Sequence, residues 1–150
     1  MSIFGNKKSR TAAGACVLLA ALTGCARQPT ADELIAEARQ MQGKRDLQGA
    51  IIQLKNALQL NAGNTQARLL LAGVYNDAGD PLSAEKEARK AISLGLEQAK
   101  AMPVLAEALL RQGKYAAMLK ETAPAEGAPT PEIQILRGRA HLGLGELAAA

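Results

Sequence analysis

The chain has 150 residues and a net charge of +4, but the excess charge is in the wrong place for a nucleic-acid surface. Three of the 18 basic residues (Lys7, Lys8, Arg10) and none of the 14 acidic ones precede Cys25. Beyond it the two signs are nearly balanced and interspersed, whereas a phosphate-binding face needs clustered Lys and Arg.

Aromatics make up 2% of the sequence and Trp is absent, while Ala, Leu, Glu, Gln, Lys and Arg dominate. That is a helix-forming mixture whose small side chains suit closely stacked helices better than one large core. Met1 to Arg10 is polar and basic, and Thr11 to Thr23 is apolar and uncharged. The apolar run is far shorter than the roughly 20 residues that a spanning helix requires. A basic start, a short apolar run and small residues before a break describe a secretory signal peptide over residues 1–24.

The run ends Leu22-Thr23-Gly24-Cys25, which resembles the bacterial lipobox. The resemblance implies cleavage before Cys25, a diacylglycerol on its thiol and an acylated amine. Only a cysteine supplies that nucleophilic sulfur, and two or more acyl chains anchor stably where one does not. Ala26 stands where inner-membrane lipoproteins of Gram-negative bacteria usually carry Asp. The implied location is therefore the cell envelope, at the outer membrane and facing the periplasm. Cys16 lies in the segment to be removed, so the mature chain has no thiol left for a disulfide or a cysteine metal site. Residues 25–30 are the lipidated cysteine and a linker; the five residues after Cys25 reach at most roughly 18 Å, which keeps the folded part near the membrane.

Thr30-Ala-Asp-Glu33 is a capping box and predicts a helix from 31 to about Gly43. Asp46 opens a second helix, with apolar or small residues at 47, 50, 51, 54, 57, 58 and 60 on one stripe. Moved along by 34 residues the pattern lands on itself: Ala50 on Ala84, Ala57 on Ala91, Leu58 on Ile92 and Leu60 on Leu94. A period of this size signals stacked helix-turn-helix hairpins. The units fall at 31–64, 65–98, 99–130 and a truncated 131–150.

In the second unit Ala67, Leu71, Ala72 and Tyr75 share a face, and Ala78-Gly79 ends the first helix. Asp80-Pro81 then caps and starts the second, whose inner stripe is Ala84, Ala88, Ala91 and Ile92. The third unit repeats the first-helix pattern with Met102, Leu105, Ala106, Leu109 and Gly113, and Pro103 is expected in its first turn. Its second helix weakens and ends near Glu121, before the proline-rich ETAPAEGAPTP. The fourth restarts at Pro131. Its Ile133, Leu136, Ala140 and Leu144 are expected to lack a covering helix, as in a piece of a longer array or one completed by a partner or a second copy.

These offsets resemble the tetratricopeptide repeat (TPR). Leu34, Ala38, Met41, Ala50, Leu54, Ala57 and Ala62 carry the pattern in the first unit, and Leu71, Ala72, Tyr75, Gly79, Ala84, Ala88 and Ala91 in the second. The family's Trp and Pro are missing, and Arg68 replaces its bulky residue. The resemblance implies an all-α fold, a right-handed superhelical solenoid of about three and a half repeats. Asp46-Leu47, Ala50 to Gln59, Ala67 to Leu71, Gly79-Asp80-Pro81, Ala84-Glu85 and Leu94-Gly95, following a lipobox, are also similar to the TPR lipoproteins of PEP-CTERM/exosortase systems, the PrsT family. That likeness implies a scaffold in exopolysaccharide export and protein sorting. A second reading of the same fold is an assembly factor for outer-membrane machinery, such as pilus or barrel biogenesis.

No residue pattern calls for catalysis, a metal or a cofactor. His141 is the only histidine and occupies a position that faces a neighbouring helix, with no second His or free Cys to complete a metal site. Ser83 and Ser93 share one helix far in sequence from it, and the glycines fall singly at helix ends. Glu85 and Glu87, beside Lys86, Arg89 and Lys90, read as a solvated face of i,i+4 pairs. By resemblance, a protein partner is bound on the concave face of the first helices, at Arg39, Gln42, Gln66, Leu69, Asn76, Asp77, Lys100, Glu107 and Arg111, with Leu110 nearby. The basic and Asn residues that clamp a chaperone's terminal carboxylate are absent: Ile35, Leu69 and Pro103 hold one clamp position, and Arg39, Gly73 and Glu107 another. A mixed polar and aliphatic groove of this kind suits an extended or helical protein segment. No nucleic acid or small-molecule substrate is expected.

Replacing Cys25 with Ala should leave the chain unlipidated and in the soluble fraction after cell breakage. Membrane partition equal to that of the unaltered chain would remove the anchor.

Overall fold

The computed structural model describes residues 27–123 and 129–146, and these are all-helical. The helices are α1 (Ala31–Gly43), α2 (Leu47–Leu60), α3 (Thr65–Asp77), α4 (Pro81–Ser93), α5 (Gln98–Arg111), α6 (Tyr115–Glu121) and α7 (Pro131–Gly143). The predicted signal segment with Cys25, the centre of the proline-rich loop and the last four positions lie outside the described residues. Consecutive helices pack on one another from α1 to α7, and α3 touches α5 as α5 touches α7. The result is a repeat-like row of helical hairpins.

Side chains start most of these helices. Thr30 accepts from the Glu33 amide at 3.3 Å while the Glu33 carboxylate accepts from the Thr30 amide at 2.8 Å. The second bond, with the Thr30 hydroxyl and then Arg27 adding to it, holds the Glu33 carboxyl below the usual carboxylate range. Asp46, Asn64, Asp80 and Thr130 cap α2, α3, α4 and α7 by accepting from the amides of Gly49, Ala67, Ser83 and Ile133. Pro81 and Pro131 follow in the first turn, where no amide is needed. The α5 helix starts at Gln98 without a side-chain cap, and Pro103 is its sixth residue rather than part of its first turn. The Ala99 carbonyl therefore loses its helical donor.

The turn inside each hairpin is the same structure each time. The Asp46 amide donates to the Met41 carbonyl, Asp80 to Tyr75, Lys114 to Leu109 and Glu146 to His141, all at 2.9 Å. The residue before each donor is left-handed: Arg45 (φ 64°), Gly79 (φ 79°), Gly113 (φ 71°) and Gly145 (φ 78°). Glycine adopts this conformation freely, whereas Arg45 carries about 1 kcal/mol of strain. Gly43, the predicted end of α1, is its last residue but not the residue that reverses the chain.

The core is built from small side chains. Ala50, Ala57, Ala84, Ala88 and Ala91 are fully buried on α2 and α4, which lets neighbouring helices approach closely. One cluster joins Ala38, Ile51, Leu54, Leu71 and Val74 across α1 to α3. A second joins Ala72, Leu105, Leu109, Met118, Leu136 and Ala140 across α3 to α7. Leu60, predicted on the α2 stripe, is 56% exposed; at 100° per residue it lies about 120° from the centre of that stripe. Ile133, Leu136 and Ala140, expected without cover, are buried against α5 and α6 instead. Their stripe meets the preceding hairpin, while Leu144 is exposed as expected.

Ion pairs on the even-numbered helices tie the hairpins together. Glu85 accepts from Arg89 at 2.9 Å, Lys114 at 2.8 Å and Gln112 at 2.9 Å, and Arg89 reaches on to Glu121 at 2.6 Å. Arg68 bonds Glu87 at 2.7 Å and the Ala62 carbonyl at 2.8 Å, so its guanidinium closes the α2–α3 corner. The predicted solvated face is thus a bridge between α4, the end of α5 and α6. Burial pushes the Glu85 carboxyl up, but the bonds from Lys114, Gln112 and Arg89 outweigh it and hold the pKa at about 2. Arg89 is correspondingly raised, chiefly by Glu121.

A carboxyl with a folded pKa below its unfolded value stabilises above the unfolded value and loses that contribution as pH falls toward the folded one. Glu85→Gln should therefore lower stability at pH 7 by about 1–2 kcal/mol, the figure kept small because Arg89 and Lys114 are each nearly half exposed. Urea unfolding measured from pH 7 downward should show the difference shrinking between about pH 5 and pH 2.

Candidate functional site

The face with the predicted binding residues is formed by the odd-numbered helices α1, α3, α5 and α7. Residues 34 apart (32 apart for α7) occupy the same place on successive helices, so one register position forms a row across the stack. Arg39, Gly73, Glu107 and Arg139 make one such row. The Glu107 carboxylate takes Arg111 at 2.7 Å from its own helix and Arg139 at 3.2 Å from α7. A second link crosses from α1 to α3, where the Gln42 amide donates to Asp77 at 2.8 Å. Lys100 pairs with Glu97 at 3.1 Å, with both side chains mostly exposed. These contacts hold alternating charges in fixed places without burying them.

Of the nine predicted residues, Arg39, Gln66, Asp77, Lys100 and Arg111 are exposed, and Gln42 and Glu107 are half-buried. Two others do not belong to an open surface. Asn76 is 5% exposed and donates to the Val104 carbonyl at 2.9 Å, so it sits inside the α3–α5 contact. Leu69 packs against the cluster of Ala91, Leu96 and Ala101. Leu110, at the position of Asn76 in the next hairpin, is likewise buried, beside Ile133 and Leu136. Asn76 and Leu110 share a register position covered by the following odd-numbered helix, whereas Leu69 packs on residues of α4, α5 and the loop between them.

Arg139 is the residue the sequence reading missed. Its signal was available as the row Arg39, Gly73, Glu107, Arg139, in which opposite charges fall on adjacent hairpins. A second feature outside the predicted face is an open cleft of about 530 Å³ along α4, lined by Arg68, Lys86, Glu87, Arg89, Lys90 and Ser93. Its carboxylate is already taken by Arg68. His141 is mostly buried at the end of α7, with Nδ1 2.8 Å from the Glu146 carboxylate. No group of three or more His, Cys, Asp or Glu able to hold a metal ion occurs among the described residues, and no helix among them is long and apolar enough to cross a membrane.

No family model matches the chain, and no curated protein matches it.

The Asn76 Oδ1 atom is buried without a partner while Nδ2 is bonded. Removing a buried unsatisfied acceptor offsets the loss of one hydrogen bond, and Leu110 and Leu142 show the side chain this position takes elsewhere. Asn76→Leu should leave stability within about 1 kcal/mol of the unaltered chain, whereas Asn76→Asp should lower it by about 2–4 kcal/mol, since it buries a charge beside a carbonyl. Thermal unfolding of the two variants checks both.

Proposed function

We propose that the chain is a lipid-anchored scaffold of the tetratricopeptide type, a right-handed superhelical solenoid that holds a protein partner on the face of α1, α3, α5 and α7. The observation that carries this reading is the set of four matching hairpin turns, each with a left-handed residue and the same amide-to-carbonyl bond at 2.9 Å. Turns that repeat in register make successive odd-numbered helices equivalent, and equivalent helices produce one continuous surface rather than a closed pocket. The exposed Arg39, Gln66, Asp77, Lys100 and Arg111 give that surface mixed charge with little apolar area. Such a surface recognises a partner by charge pattern and register more than by deep burial. The lipobox-like Leu22 to Cys25 supports anchoring at the outer membrane, with the partner reached from the periplasm.

The wider role follows the likeness of residues 46–95 to the TPR lipoproteins of PEP-CTERM/exosortase systems: an adaptor within exopolysaccharide export and protein sorting. The chain brings proteins together and has no reaction of its own.

A photo-activatable residue placed at Gln66 in the lipidated chain should crosslink to a specific envelope protein in living cells. The double variant Arg39→Glu with Arg111→Glu should reduce that crosslink about tenfold, as expected when two surface charges are reversed at an interface. An export or sorting component as the crosslinked protein supports the adaptor reading. A pilus or barrel assembly component assigns the chain to outer-membrane biogenesis, and crosslinking insensitive to both charges removes the face as a binding site.

A further inference from the structure

Glycine inside a helix lowers stability relative to alanine, because it loses more backbone freedom on folding. Packing gives a reason for it at Gly49 and Gly143: an added Cβ would strike the Asp46 carboxylate at the first and the Tyr115 ring at the second. Gly73 has no such reason. It lies inside α3 with helical backbone, half-buried, between the fully buried Ala72 and Val74. Apart from its chain neighbours and its own helix backbone, no heavy atom of the described residues lies within 4 Å of where its Cβ would stand. The fold neither requires a glycine here nor fills the space it leaves.

That space stands in the row of the odd-numbered face, between Arg39 of α1 and Glu107 of α5. Arg39 is exposed and makes no ion pair among the described residues. On the other side Arg111 and Arg139 share the Glu107 carboxylate, which leaves one positive charge in excess. The acidic residue of α3 itself, Asp77, is one turn away and holds the Gln42 amide. The row therefore has a gap at its centre with uncompensated positive charge on either side.

We propose that Gly73 is the point where the backbone of an extended acidic partner segment crosses α3, with one carboxylate on Arg39 and another on Arg111 and Arg139. This rests on the reading of the odd-numbered face as the partner surface, and it adds what kind of segment lies there. With no side chain at 73, the partner's main chain can approach the helix where a Cβ would hold it off. A helix is about 10 Å across with its side chains and is too broad for a gap one side chain wide. Two helix spacings of about 8–10 Å separate α1 from α5. An extended chain advances about 3.3 Å per residue, so the two carboxylates stand about six positions apart. Residues i and i+6 of a strand point to one side, and i+2 and i+4 point there too. Those two therefore face Gly73 and are small.

The probe is a fluorescein-labelled peptide with two glutamates about six positions apart and alanine and glycine between them, titrated against the full chain by anisotropy at low salt. Saturable binding is expected. It should weaken at least about tenfold with Gly73→Leu, with Arg39→Glu, and when lysines replace the peptide's glutamates. Lys86→Glu, the same change of charge at an exposed position on α4, should leave it unchanged. Gly73→Ala should raise the melting temperature by about 2–6 °C and still weaken the peptide, so it carries the test if Gly73→Leu fails to fold. A melting temperature lowered by Gly73→Ala overturns the proposal, as does absence of saturable binding. Equal binding of the lysine peptide, equal weakening by Lys86→Glu, or binding indifferent to both Gly73 variants overturns it too. Crosslinking from Gln66 separates this failure from failure of the face. A crosslink lost with Arg39→Glu and Arg111→Glu but kept with Gly73→Leu overturns the crossing point and keeps the partner surface, and one insensitive to all three removes both.

Discussion

The arrangement of this protein depends on one backbone bond, the amide-to-carbonyl link that closes each hairpin after a left-handed residue. It forms between 46 and 41, 80 and 75, 114 and 109, and 146 and 141, always at 2.9 Å. The bond spans the same five residues each time, so the chain leaves α1, α3, α5 and α7 through the same backbone turn. The stripes can then be met by a partner stripe of the same composition. Glycine makes the turn without strain at 79, 113 and 145. At Arg45 the same geometry persists without glycine, which means that the packing of α1 on α2 imposes the turn there rather than the reverse.

Close approach is the second requirement, and alanine meets it. Ala38, Ala72 and Ala106 are fully buried and occupy one register position on α1, α3 and α5, and Gly138 holds the same place on α7. A larger side chain at that place would push apart the helices packed on it. The cost of building with alanine is a shallow core, with little apolar area in each contact. The ion pairs of Glu85 with Lys114 and of Arg89 with Glu121 add directional links between hairpins, and Arg68 adds a hydrogen bond to the Ala62 carbonyl.

Most of the fold was legible in the sequence because its determinants are local. The capping side chains Thr30, Asp46 and Asp80, the prolines after two of the caps, and the alanine stripes each act within a few residues, and each stands where the spacing put it. What escaped depends on neighbours distant in sequence. Asn76 reads as a surface residue by its polarity, and only the Val104 carbonyl, 28 residues on, explains its burial. Glu85 looks like an ordinary member of a charged helix face until Lys114, 29 residues away, closes on it. The stripe Ile133, Leu136 and Ala140 seemed to await a following helix, yet its cover precedes it in the chain. Periodicity identifies which residues turn inward, but it does not say which neighbour they turn toward.

The contacts between odd-numbered helices change steadily along the row. From α1 to α3 the direct bridge is polar, a single hydrogen bond from Gln42 to Asp77. From α3 to α5 it is mixed, with Asn76 on a carbonyl and Leu69 against the cluster that includes Ala101. From α5 to α7 it is Leu110 among Ile133 and Leu136, with the Glu107–Arg139 pair at the edge. Position 42, 76, 110, 142 itself runs Gln, Asn, Leu, Leu. In an array where stability is the sum of hairpins and nearest-neighbour contacts, such a gradient makes the row of odd-numbered helices easiest to part between α1 and α3. The first hairpin is then held to the rest mainly through α2 on α3, where Leu54, Leu71 and the Arg68 guanidinium converge. Arg68 fixes that corner, since its guanidinium reaches both Glu87 on α4 and the Ala62 carbonyl in the turn before α3.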